Sequence, residues 1–239
     1  MQENKQFAKL CEIMDTLLGE NGCPWDRSQT HQSLRPHLLE ESYEVADAID
    51  NGDMTALQEE LGDLLLQVIL HSRIAEKEKH FSLSDVIGDV SKKLVQRHTH
   101  IFQQSSGTAV ASDNSGSAMT PKDVEKIWEE NKNKEKSINT PLENMEAVPK
   151  ALPALARAQK VVKRSERDFS CEDLLSEIRH LLDESSQFAE SYPHEESQQE
   201  NMEKYGNILF HLAALLTKMQ INAEFSLTNA TFTFINSFK

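Results

Sequence analysis

Apolar residues recur at three- and four-residue intervals along most of the chain, the spacing of helices that bury one face. The pattern predicts helices over residues 5–18, 33–49, 56–77 and 83–98, then over 122–136 and 154–167, and last over 171–191, 200–220 and 225–238. Asn51-Gly52-Asp53 reads as a helix stop and restart, with Asp53 or Thr55 as cap. Ser82 or Ser84 begins the next helix. Residues 103–120 are rich in Ser, Gly, Ala and Asn and show no period, so they read as a flexible, disordered linker. Pro141 to Pro153 interrupts the helical pattern a second time.

The chain also repeats itself faintly. Leu39-Glu40-Glu41-Ser42-Tyr43-Glu44 corresponds to Leu182-Asp183-Glu184-Ser185-Ser186-Gln187, and Gly62-Asp63-Leu64-Leu65-Leu66 to Gly206-Asn207-Ile208-Leu209-Phe210. Eighteen residues beyond Asp63 and Asn207 come Phe81-Ser82-Leu83-Ser84 and its near-copy Phe225-Ser226-Leu227-Thr228. In the second copy Gln187, Lys204 and Asn207 replace Glu44, Glu60 and Asp63. A lysine at that position repels a cation.

Composition narrows the class. With 38% hydrophobic residues, eight glycines and seven prolines in 239 residues, the chain suits a helix-rich globular protein. A formal charge of -14 argues against general nucleic-acid or anionic-membrane binding. Cys11, Cys23 and Cys171 are odd in number and far apart, which points to a reducing cytoplasm rather than a disulfide framework. No signal peptide is visible, and the longest apolar runs are too short and interrupted to span a bilayer.

The candidate chemistry lies in two acidic stretches. Glu40, Glu41 and Glu44 share one helix, and Glu60 and Asp63 share the next, each set spaced to occupy one face. In a chain with 27% charged residues, a solvated acidic face is the ordinary reading. The second stretch argues against it. At roughly 100° per residue, Leu61, Leu64, Leu65, Leu66, Val68, Ile69 and Leu70 cover most of the helix circumference and leave a narrow polar stripe of Glu60, Asp63, Gln67 and His71. That helix is expected to be buried nearly all round, with Glu60 and Asp63 facing an internal cleft where carboxylates need a cation. A di-iron or di-manganese bundle needs Glu-x-x-His on two helices, and the chain has one such pair, Glu177/His180, in the faded repeat. Oxygen ligands without histidine favour magnesium.

Glu-Glu-x-x-Glu followed by Glu-x-x-Asp resembles the signature of the all-α nucleoside triphosphate pyrophosphohydrolases of the MazG type. Three further segments resemble landmarks of the two-repeat members: Asn21-Gly22-Cys23-Pro24-Trp25-Asp26 with Gln29-Thr30, Arg97-His98-x-His100-x-Phe102, and Leu152-Pro153-Ala154-Leu155-x-Arg157-Ala158-Gln159-Lys160. The resemblance implies tandem helical-bundle repeats in an intertwined homodimer. It also implies Mg2+-dependent hydrolysis of a nucleoside triphosphate to monophosphate and pyrophosphate, with Mn2+ as a substitute cation. Carried across, Glu41, Glu44, Glu60 and Asp63 match the metal ligands. Glu40 is the spare carboxylate for handling the attacking water, a role that another member of the cluster could take. Lys93 and Arg97 match positions that contact phosphate; Trp128 and Lys132 match a base-stacking and phosphate-reaching pair.

The reading is therefore a first repeat over 1–102 with the intact motif, a linker over 103–121, connecting helices over 122–167 and a degenerate second repeat over 168–239. The second repeat is expected to serve structure or dimerisation. The alternative is a nucleotide-binding regulatory or scaffold protein with little turnover.

Overall fold

The computed structural model describes residues 2–102, 119–189 and 198–238, with the backbone alone for 2, 184–189, 198, 200 and 201. Among these residues there are twelve helices and no strand, so the protein is all-α. The chain divides into two compact units, Met1–Ala118 and Met119–Lys239. Residues 103–118 of the expected linker fall outside the described residues.

The first unit holds α1 (Gln2–Leu18), α2 (Pro24–Arg27), α3 (His31–Asn51), α4 (Met54–Lys77), α5 (Leu83–Arg97) and α6 (Thr99–Phe102). Local chemistry sets these boundaries. Thr30 Oγ1 accepts from the Ser33 amide while Ser33 bonds back to the Thr30 amide, a capping box that starts α3. Gly52 ends α3 in the left-handed region at φ 67°, where a Cβ is penalised, and its N–H reaches the Ala48 and Ile49 carbonyls. Asp53 then caps α4, its Oδ1 accepting from the Thr55 and Ala56 amides at 2.9 and 3.0 Å. Ser82 caps α5. So short a turn folds α3 back along α4 as a helical hairpin.

Met14, Leu34, Ile69, Leu70, Ile74 and Leu83 form the core of this unit, with Phe7, Leu10, Leu17 and Leu66 packed against it. The buried residues of α4 are Gln67, Ile69, Leu70, Ser72, Ile74 and Ala75, all in its second half. The expectation that α4 is buried all round is therefore corrected. Leu61, Leu65 and Val68 remain 49%, 39% and 38% exposed, because the packing within this unit covers only part of the circumference.

The second unit holds α7 (Pro121–Glu135), α8 (Pro141–Glu146), α9 (Ala154–Arg164), α10 (Cys171–Ala189), α11 (Gln198–Lys218) and α12 (Ala223–Asn236). α8 lies in the stretch expected to break the pattern. Pro141 stands at its first turn, where a missing N–H costs nothing, and Thr140 and Glu143 form a capping box. α9 stops at Arg164, short of the expected 167: Ser165 closes it and Glu166 turns to φ 55°. Val162, Leu174, Ile178, Ala214 and Leu215 make the core.

α10 packs on α11 as α3 packs on α4. The repeat is imperfect at its third match. Ser82 caps α5, whereas Ser226 lies inside α12, because Asn222 starts that helix one turn earlier by accepting from the Phe225 amide.

Candidate metal centre

The antiparallel run of α3 and α4 brings Glu41 to the level of Glu60 and Asp63. One ligand oxygen from each lies within 4.8 Å of the other two, and all three side chains are half-buried. Glu44, one turn along α3, is exposed and stands outside this group. Glu40 is exposed as well, and its Oε2 lies 3.4 Å from Nδ1 of His37.

The electrostatics of the cluster have one sign. Glu41 is held above its ordinary value by partial burial first, and then by the charges of Asp63, Glu44, Glu60 and Glu40. Glu60 is raised by desolvation and then by Glu44, Glu59 and Asp63. Every charge that bears on these two groups is negative, so the cluster resists full ionisation on its own. An all-oxygen donor set that converges under such repulsion fits a hard divalent cation, which takes carboxylate ligands and relieves the repulsion.

Lys93 is exposed and Arg97 half-buried, one turn apart on α5, and neither bears on the titration of Glu41 or Glu60. Trp128 and Lys132 lie on α7 in the second unit. Lys132 is only 8% exposed; its Nζ binds both carboxylate oxygens of Glu129 at 2.9 and 2.8 Å and sits 4.9 Å from the Trp128 ring centroid. His98 and His100 are half-buried beside each other, with His98 Nδ1 2.7 Å from the Leu94 carbonyl oxygen.

In the second repeat Asp183 and Asn207 are exposed and Lys204 is half-buried; the side chains of Glu184 and Gln187 lie outside the described residues. Among the described residues of the second unit, no group of three or more metal-ligating side chains converges.

Gln67 and His71 belong to the polar stripe visible in the sequence, whereas nothing in the sequence singles out His31. The structure continues that stripe inward. Gln67 is 6% exposed, its Oε1 without a partner among the described residues, and His71 Nδ1 lies 2.8 Å from His31 Nδ1. Spacing by three, four and four along 60, 63, 67 and 71 was the signal available.

A family model for the MazG nucleotide pyrophosphohydrolase domain matches residues 29–102, the stretch that contains α3, α4 and α5. The chain is 33% identical over 234 residues to a nucleoside triphosphate pyrophosphohydrolase/pyrophosphatase MazG of Thermotoga maritima, covering 98% of this chain and 84% of that one. It is 34% identical over 239 residues to a nucleoside triphosphate pyrophosphohydrolase of Escherichia coli, covering 98% and 86%. An uncharacterized protein, YabN of Bacillus subtilis, is 43% identical over 158 residues; these make up 66% of this chain and 30% of YabN.

Proposed function

This chain belongs to the MazG nucleotide pyrophosphohydrolase family, and from that premise we propose that it is a nucleoside triphosphate pyrophosphohydrolase whose chemistry runs through the first unit. Water attacks the α-phosphorus, the bond from that phosphorus to the bridging oxygen breaks, and monophosphate and pyrophosphate leave. The observation that carries the reading is the convergence of Glu41, Glu60 and Asp63 under like-charge repulsion.

Glu41, Glu44, Glu60 and Asp63 would hold magnesium, or manganese in its place. The bound cation supplies positive charge against the triphosphate. Glu44, exposed one turn from Glu41 on α3, would have to turn toward the group to join it. Glu40, next to a ligand in sequence but outside the converged group, takes the proton of the attacking water. Lys93 and Arg97 hold phosphate oxygens, and Trp128 and Lys132 serve the base and a phosphate. Lys132 must then exchange Glu129 for the substrate.

Residues 1–102 form the working repeat and 168–239 a degenerate one that serves stability and association. The exposed Leu61, Leu65 and Val68 on α4 and Ile87, Val90 and Leu94 on α5 support a homodimer, since apolar helix faces of this extent mark association surfaces. Free Cys11, Cys23 and Cys171 support a cytoplasmic location. No helix among the described residues is long and apolar enough to cross a membrane.

One observation favours a second reading, binding with little turnover: Glu44 stands outside the ligand group. Incubation with each nucleoside triphosphate and magnesium separates the two readings when monophosphate plus pyrophosphate is resolved from diphosphate plus phosphate. Glu41→Gln and Asp63→Asn should abolish turnover; activity surviving either one removes the first unit from the chemistry.

A further inference from the structure

Gln67 is an uncharged polar residue in the middle of the apolar stretch of α4, between Leu66 and the core residues Ile69 and Leu70. It is 6% exposed, and its Oε1 is fully buried with no hydrogen-bond partner among the described residues. A buried amide oxygen left unpaired is destabilising, and replacing it with an apolar group of the same shape removes that loss. The fold itself has no use for a glutamine at this position. Leucine or methionine would serve the core better.

Its location supplies the use. Gln67 follows Asp63 by four residues and Glu60 by seven, so all three project from one face of α4. Along that face Glu60 and Asp63 are half-buried and Gln67 is buried, while His71, another turn on, is half-buried with a buried Nε2 that has no partner among the described residues. Gln67 thus stands one turn of α4 beyond Asp63, on the helix face that carries the carboxylates.

We propose that Gln67 is a positioning residue for the carboxylate cluster, its buried Oε1 accepting a hydrogen bond from a water held there when a divalent cation is bound. The inference rests on the pyrophosphohydrolase reading for what that water does next. It does not rest on it for the hydrogen bond. An amide suits the task because it accepts without adding a further negative charge to a cluster that already carries too many.

Gln67→Met nearly conserves shape and removes the acceptor; Gln67→Leu is a second variant should methionine pack poorly. Without added cation, either variant should melt about 2 °C higher than the parent. With Mn2+ followed by titration, the same variant should bind the cation about 10-fold more weakly, the usual loss on removing a supporting hydrogen bond at a metal site. In turnover, kcat should fall about 10-fold or more with KM for the nucleotide within about twofold.

A variant that keeps both Mn2+ affinity and kcat overturns the proposal. So does one that melts lower while binding Mn2+ as the parent does, because Gln67 then serves only the fold. If the parent itself hydrolyses no nucleotide, the functional reading fails, and the Mn2+ comparison still decides the role of Gln67.

Discussion

His31, in the first turn of α3, and His71, in the second half of α4, meet edge to edge, with ring centroids 5.1 Å apart, planes 2° from parallel and their Nδ1 atoms 2.8 Å apart. A contact that short needs one nitrogen to donate and the other to accept, so both rings cannot be imidazolium while it persists. Burial first, and then the proximity of His31, hold His71 below its ordinary value of 6.5. The pair ties the two ligand-bearing helices together at the end away from their turn.

The neutral His71 sets the sign of one pH dependence. Its folded value is lowered, so its contribution to stability is present above 6.5 and is lost as the pH falls through the lowered value. Urea unfolding at pH 7.5, 6.5 and 5.5 should show stability falling on acidification. His71→Phe, which keeps a ring and cannot titrate, should show a smaller fall; an equal fall in both proteins would assign the effect to other groups.

The carboxylate cluster runs the other way. Glu41 and Glu60 are raised above 4.5, so their contribution is fully present below 4.5 and is lost as the pH rises through the raised values. In Glu41→Gln the metal-free protein should therefore be more stable at neutral pH than the parent, while kcat drops roughly 100-fold or more. Magnesium should raise the melting temperature of the parent and have little effect on the variant, which scanning calorimetry reads directly.

The turn between α3 and α4 carries its own cost when altered. Asp53→Ala removes the acceptor for two backbone amides and should destabilise by about 1 kcal/mol. Gly52→Ala forces a Cβ into the left-handed region and should cost about the same. Urea midpoints should fall in both variants with the slope unchanged.

Lys132→Met tests the phosphate contact proposed for α7. KM should rise about 10-fold, as expected for losing one hydrogen bond to a charged group. The melting temperature should change little, since Glu129 is 44% exposed and can return to water. A large loss of stability with KM unchanged would make Lys132 a packing residue.

The apolar face of α4 can be tested by charge. Leu65→Asp or Val68→Asp should turn a homodimer into a monomer in sedimentation experiments while leaving the helical content unaltered. A parent that sediments as a monomer refutes the dimer.

Helical spacing was legible because it requires only a period, and it located the long helices to within a few residues. The short ones escaped it. α2 and α6 are four residues each, too short to show a period, and α8 hides behind Pro141, which looks like a breaker until its place at the first turn is seen. The carboxylates were legible for the same reason as the helices, since spacing on one face is a local property. Their company was not. That His31 meets His71 across forty residues depends on how α3 and α4 are brought together, whereas Glu129 with Lys132 and His37 with Glu40 are three-residue pairs within one helix. The misjudged burial of α4 has the same root: a helix apolar on all sides tells how much it wants to bury, not whether its own unit supplies the cover.

The buried residues of α4 lie in its second half, while Glu60 and Asp63 stand in its first. Natural selection for a stable fold and selection for chemistry thus act on different residues of one helix. A substitution at Glu60 or Asp63 leaves that core untouched and relieves like-charge repulsion in the cluster. Lys204 and Asn207, which align with Glu60 and Asp63, stand on a helix whose own core at Ala214 and Leu215 is intact.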